Sequence, residues 1–126
     1  MAKNDVSKKV VEIDRTIAAY SMWARKDERN VKLQTFMVGQ LFRGTAIGPH
    51  LLYHELRTWA ADMKVARAFV TVASSKSELI AYFMQFGFRV EGVSANRYAR
   101  ASTAAELVMG KHFVRDVVRT PQISSA

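Results

Sequence analysis

Residues 38–52 constrain the fold of this chain more than any other stretch. An apolar strand pattern over residues 31–38 leads into them, and apolar residues at helical spacing follow from Leu52 onward. Between the two patterns lies a turn of small residues that ends in a proline at the predicted first helical position, namely Gly44, Ala46, Gly48 and Pro49. Such a turn presents backbone N–H groups at the positive end of the helix dipole, which suits phosphate. The alternative is an ordinary strand-to-helix turn in which glycine supplies unusual φ angles.

The apolar periodicity predicts one domain of six strands and two helices. The strands are predicted at residues 10–13, 17–24, 31–38, 65–72, 88–93 and 106–113, and the helices at residues 49–63 and 76–86. A strand–helix–strand unit favours a parallel strand pair with a right-handed crossover. The order β-β-β-α-β-α-β-β therefore predicts an α/β fold, a mixed sheet with helices on its faces, over residues 10–113. We expect residues 1–9 to form a flexible leader and residues 114–126 a C-terminal tail.

Local signals mark the ends of several elements. Ser75 and Glu78 fit the S-x-x-E capping box at the start of the second helix. Gly87 follows that helix and is typical of a C′ residue. Asp14 and Arg15 are expected to turn the first strand back into the second.

Composition narrows the function classes. The 126-residue chain contains no cysteine, which excludes disulfides, thiolate nucleophiles and cysteine–zinc sites. The basic protein carries a formal net charge of +8, which favours anionic partners such as nucleic acid, phosphorylated cofactors or acidic protein surfaces. The basic residues are scattered, however, and no block of them indicates a nucleic-acid motif. Without a secretory signal or an apolar run near ~20 residues, we expect a cytoplasmic protein that does not associate with membranes.

The turn and the second helix together resemble one known family. The sequence Arg43-Gly44-Thr45-Ala46-Ile47-Gly48 resembles the R-G-x-G-x-G/A pyrophosphate loop of the GNAT superfamily, which transfers acetyl from acetyl-coenzyme A to an amine. Leu51 and Leu52 continue the helix as in that family, Gly87-Phe88 resembles its G-F pair, and residues 107–111 resemble its terminal strand. The resemblance implies a GNAT-like acyl-CoA N-acyltransferase fold, with acetyl-CoA as cosubstrate.

The resemblance also implies which residues hold the cosubstrate. Arg43 would add a charge-assisted contact to the pyrophosphate. The strand before the loop would splay from its parallel neighbour, and pantetheine would pair with the strand edge at Met37 and Val38. The remaining pyrophosphate contacts would come from the backbone amides of Gly44, Ala46 and Gly48.

Several residues depart from the family pattern. Ala46 replaces the central loop glycine, and Pro49 removes an N–H that often contacts phosphate. Phe83 occupies the position of the tyrosine acid, and Tyr82 is its neighbour. The usual first strand and helices are lacking, so we expect a homo-oligomer or a larger assembly to cover the open sheet edge. These departures leave a second possibility, a catalytically degenerate binding module for an acidic protein or nucleic acid.

The catalytic residues are not readable from the sequence, and Tyr82 and His50 are only weak candidates. His50 and His54 are spaced i,i+4, but the H-E-x-x-H pattern is absent, and we expect no metal. Arg97, Tyr98 and Arg100 form a basic-aromatic loop that could stack on a base or grip coenzyme A, or could be merely flexible. The acceptor stays open among a small amine, a protein N-terminus, a lysine side chain and a tRNA-linked amine.

Overall fold

A mixed six-stranded sheet carries two helices. The computed structural model describes residues 6–94 and 105–114, and the predicted loop with Arg97, Tyr98 and Arg100 lies outside these residues. The elements are β1 Val6–Ile13, β2 Thr16–Arg25, β3 Asn30–Val38, a 3₁₀ turn Gln40–Phe42, α1 Ile47–Ala61, β4 Arg67–Ala73, α2 Ser77–Gln85, β5 Arg89–Ser94 and β6 Glu106–His112. The strand order is β1-β2-β3-β4-β6-β5, and only β3 and β4 are parallel. The predicted α/β order is confirmed.

The first strand is longer than the sequence predicted. It begins at Val6 and pairs with β2 along its whole length, so residues 6–9 belong to a strand and not to a leader. The start of this strand was not predicted because Lys8 and Lys9 interrupt the apolar pattern. An edge strand tolerates such exposed lysines. Asp14 and Arg15 both adopt positive φ, 51° and 64°, which gives the predicted hairpin a turn matched to strand twist.

Both helices begin differently from the prediction. α1 begins at Ile47, so Pro49 is its third residue; the first N–H groups of a helix have no intrahelical partner, and proline is tolerated there. The predicted capping box of Ser75 and Glu78 is wrong, because the N-cap of α2 is Lys76 and no side chain caps the start of the helix with a hydrogen bond.

The predicted end of α2 at Gly87 is confirmed. Gly87 has φ +96°, and its N–H donates to the Met84 carbonyl at 3.0 Å. The Phe88 N–H donates to the Phe83 carbonyl at 3.2 Å, and the two rings lie 5.5 Å apart. This pair of bonds with its apolar contact is a Schellman motif, and it fixes where the chain leaves the helix.

The two helices pack on one face of the sheet, and no element of the described residues covers the other face. α1 and α2 contribute to a single core cluster with the buried residues of β2, β3, β4 and β6. In β4 the buried residues Ala68, Val70 and Val72 point toward that cluster, and they alternate with less buried neighbours. The face opposite the helices, called here the open face, carries Tyr20, Met22, Lys32, Phe69 and Thr71. Within residues 6–94 and 105–114, no helix is long and apolar enough to span a membrane.

Candidate functional site

The parallel pair β3–β4 opens into a cleft. Its register covers three residue pairs and ends at Lys32 and Phe69. One step later the β2–β3 register shifts, because Trp23 pairs with Leu33 and the next pair joins Met22 to Thr35. The extra residue in β3 forms a bulge, and a bulge bends its strand. Beyond it, no strand among the described residues pairs with β3 on the β4 side, as the resemblance implies.

The cleft has a volume of about 420 Å³ and is lined by residues from both faces of the sheet. Its helix side is apolar and includes Leu33, Phe36, Val70, Val72, Leu79 and Phe83. Its open side is more polar and includes Met22, Lys32, Gln34, Thr35 and Thr71. No carboxylate or histidine from the described parts of the chain lines it.

The turn at residues 43–48 is shaped by two glycines. Gly44 has φ +81°, where a side chain would be strained. A Cβ on Gly48 would lie 2.8 Å from Val38 Cγ2, so only glycine lets α1 begin this close to the end of β3. Ala46 has φ −77°, which any L-residue adopts, and so alanine fits where the family has glycine.

Three backbone donors of this turn are left over. The Thr45 hydroxyl donates to the Phe42 carbonyl and accepts from the Ile47 N–H at 3.3 Å, so it locks the turn. The Thr45 N–H also donates to the Phe42 carbonyl, at 3.2 Å. Three N–H groups have no acceptor within the described residues, and they are those of Gly44, Ala46 and Gly48. Adjacent unpaired donors at a helix start form a site for an anion.

Arg43 lies at the same place. Its Nε donates to the Val38 carbonyl at 3.2 Å, which holds the guanidinium at the end of β3. Met37, beside it, has 59% of its surface exposed, and Val38 is half-buried. Arg43 therefore places its positive charge at the end of β3, in the same turn as the three unpaired amides.

Comparison with solved structures gives this arrangement a family context. The ribosomal-protein-S18-alanine N-acetyltransferase from Escherichia coli superposes with a TM-score of 0.76 at 17% identity, over 88% of this chain and 71% of that one. A GNAT-family acetyltransferase from Streptococcus pneumoniae gives 0.75 at 16%, over 87% and 68%. A GNAT-family acetyltransferase from Elizabethkingia anophelis with acetyl-CoA bound gives 0.74 at 13%, over 86% and 76%. The chain has the GNAT fold. No protein-family model matches its sequence, and no curated protein does.

Within the GNAT fold, Tyr82 is the phenol beside the loop. Its ring centroid lies 6.2 Å from that of Phe36, which lines the cleft, and 5.2 Å from that of Phe86. Its hydroxyl oxygen lies 3.7 Å from where a Cβ on Gly48 would be. Burial raises the pKa of Tyr82, so the phenol stays protonated. Phe83, at the position of the family's tyrosine, is buried and lines the cleft.

His50 lies elsewhere. It follows Gly48 by two residues, about 200° around α1. It lines a separate groove of about 360 Å³ beside β1, together with Lys9 and His54. The structure does not bring His50 to the β3–β4 cleft, and its catalytic role stays a prediction. Among the residues described, no group of three potential ligands could hold a metal ion.

Two polar clusters were not predicted from the sequence. The Ser21 hydroxyl donates to Glu55 Oε1 at 3.2 Å, and both residues are buried between β2 and α1. On the open face, Arg67 donates to Glu91 Oε1 at 2.8 Å from Nη2 and 3.0 Å from Nε, and His112 Nε2 lies 2.6 Å from Glu91 Oε2. Their partners are 34, 24 and 21 residues apart, so no local pattern signals them.

The Glu91 cluster predicts an acid-dependent loss of stability. Partial burial raises the pKa of Glu91, but hydrogen bonds and charge from Arg67 and His112 outweigh it and hold that pKa below the ordinary 4.5. A carboxyl whose pKa is lower in the folded state stabilises the protein at every pH above its ordinary pKa. That stabilisation is lost as the pH falls through the lowered pKa. We expect Glu91→Gln to lower the unfolding midpoint at neutral pH and to flatten its decline in acid, whereas Glu28→Gln, in an exposed turn, should do neither. Identical pH profiles of Glu91→Gln and wild type would contradict the assignment.

Proposed function

We propose that this chain binds acetyl-CoA and transfers the acetyl group to an amine. One observation carries the proposal: the three unpaired amides and Arg43 lie at the end of the strand whose free edge borders the cleft. Pyrophosphate oxygens accept hydrogen bonds from such amides, and the pantetheine arm is long and amide-bearing, which suits a free strand edge. The GNAT fold, with acetyl-CoA bound in one neighbour, supports this reading.

Different residues of the proposed site bind different parts of acetyl-CoA. Gly44, Ala46 and Gly48 bind the pyrophosphate through their N–H groups, and Arg43 neutralises its charge. Met37 and Val38 align the pantetheine, so that the thioester lies in the cleft. The amine nitrogen attacks the carbonyl carbon, the C–N bond forms, the C–S bond breaks, and the proton lost by the amine balances the thiolate.

Tyr82 is our candidate for protonating the thiolate, and the proton lost by the amine then restores the phenol through water. Its phenol stays protonated and lies between the loop and Phe36 at the cleft wall. A positioned acid of this kind contributes about 10²–10⁴-fold to rate. Because no described carboxylate or histidine lines the cleft, transfer relies mainly on orientation of the two reactants.

The same lack of a lining base supports the second candidate, a binding module that has lost its chemistry. A single pair of measurements separates the two. Calorimetric titration with acetyl-CoA should show binding, and thiol release in the presence of an amine panel should show turnover. Binding without thiol release would favour the binding module, and no binding at millimolar ligand would refute the proposed function.

We also propose that the protein self-associates through the edge of β1. Val6 and Val10 are 42% and 48% exposed, and within the described residues no strand pairs with the outer edge of β1. An unpaired edge with apolar residues favours pairing with another strand. Sedimentation equilibrium should give a mass above that of one chain and a monomer after Val10→Lys; a wild-type monomer at the highest soluble concentration would refute this.

A further inference from the structure

Among the described residues, one charged side chain lines the cleft, and it is Lys32. It lies on the open face in the last residue pair before β3 and β4 separate, opposite Phe69. The side chain is half-buried, and no described residue accepts a hydrogen bond or ion pair from its ammonium group. A lysine held at the mouth of a cleft without a partner is positioned to receive an anion from solution.

Within residues 6–94 and 105–114, the surroundings of Lys32 do not supply that anion. Glu91, on the same face, is already bonded to Arg67 and His112. Glu106 lies opposite Ala73, beyond the far end of the cleft, and does not line it. Lys8 pairs with Met22, which lines the cleft, and adds positive charge to the open face. A polyamine would therefore meet like charge at this mouth.

The cleft is lined differently on the two faces of the sheet. The pyrophosphate loop is at the start of α1, on the helix side, so acetyl-CoA would enter from that side. The acceptor is left with the open side, where it passes Lys32, Thr35 and Thr71. Whatever anion Lys32 receives is thus carried by the acceptor.

We propose that Lys32 selects acceptors that carry a carboxylate a few bonds from the reacting amine, such as an amino acid or a peptide N-terminus followed by an acidic residue. This inference rests on the proposed acetyl transfer. The carboxylate pairs with the Lys32 ammonium while the amine faces the cleft. The same positive charge disfavours the protonated ammonium of the acceptor, which raises the fraction of free amine able to attack.

Matched acceptors test the proposal on the whole protein with acetyl-CoA. The probes are the peptide amides Ala-Glu-Ala-Ala, Ala-Gln-Ala-Ala and Ala-Lys-Ala-Ala, and free β-alanine against β-alaninamide; the two sets separate a peptide from an amino acid. We expect the acidic acceptor to exceed its neutral counterpart by about tenfold or more in kcat/KM, as a charge-assisted hydrogen bond implies. Lys32→Met should abolish the preference and shift the pH–rate profile to higher pH, and Lys32→Glu should reverse it toward the lysine peptide. Lys26→Met, which removes the same charge from the exposed turn between β2 and β3, should leave both the preference and the pH–rate profile unchanged.

A second measurement separates this proposal from the proposed function. Amide NMR shifts of Thr35 and Thr71 are followed as the acidic and neutral peptides are added without acetyl-CoA. Shifts from the acidic peptide alone, lost in Lys32→Met, support acid recognition even if acetyl-CoA does not bind, and that failure would overturn only the proposed transfer. Equal preference for neutral or lysine peptides, or acid preference that survives Lys32→Met, would overturn the inference while leaving the transfer intact.

Discussion

Gly44→Glu is expected to weaken acetyl-CoA binding by about a hundredfold or more. The Cβ of a residue at this position would have no neighbour within 4 Å, so the new carboxylate would not clash but would add a negative charge to the turn that carries the three unpaired amides. There it repels the pyrophosphate and competes for its donors. Each hydrogen bond to a charged group contributes about 1.5–3 kcal/mol, and about 1.4 kcal/mol is a factor of ten in affinity. Isothermal titration calorimetry measures the change directly.

Two variants separate charge from backbone strain. Gly44→Ala keeps the N–H and adds only the cost of φ +81°, about 1–2 kcal/mol, so it should lower the unfolding midpoint and leave most of the affinity. Gly92→Glu adds the same charge on β5, where a Cβ also has open space, and should bind as wild type. Wild-type affinity in Gly44→Glu would mean that the cosubstrate does not use this loop.

Tyr82→Phe is expected to lower kcat for acetyl transfer by about 10²-fold, the lower range for loss of a positioned acid. The change keeps the ring that packs on Phe36 and Phe86 and removes only the hydroxyl beside Gly48. Affinity for acetyl-CoA should change little, because the amides of the loop are untouched. Thiol release at saturating acetyl-CoA gives kcat, and calorimetry gives the affinity.

The matched control is Tyr53→Phe. Tyr53 is an exposed phenol on α1 whose ring lies 5.8 Å from the Arg57 guanidinium, away from the loop. We expect the Tyr53→Phe variant to have the same kcat as the wild type. An unchanged kcat in Tyr82→Phe would show that the phenol only packs, and the thiolate would then take its proton from water.

Local chemistry explains why most of the fold could be predicted. The order of strands and helices follows from apolar periodicity, and the Gly87 end of α2 from a motif within six residues. The errors lie where local signals were weak or misleading. Lys8 and Lys9 masked the start of β1, and Ser75 and Glu78 matched a capping box that the backbone does not form.

In the candidate site, too, features set by nearby residues could be predicted and features set by distant residues could not. The loop could be predicted because its donors come from one short stretch, residues 44–48, and Ala46 fits because its φ is negative. The place of Lys32 at the cleft could not be predicted, since it depends on the bulge in β3 where β3 and β4 separate. Nor could the buried Ser21–Glu55 pair, which joins residues 34 positions apart.

A crystal structure after soaking with acetyl-CoA tests the central claim most directly. The account predicts pyrophosphate density within hydrogen-bond distance of the N–H groups of Gly44, Ala46 and Gly48, with the pantetheine beside Met37 and Val38 and the thioester in the β3–β4 cleft. Clear density for the ligand at another surface, or a cleft that stays closed to it at saturating concentration, would contradict the account.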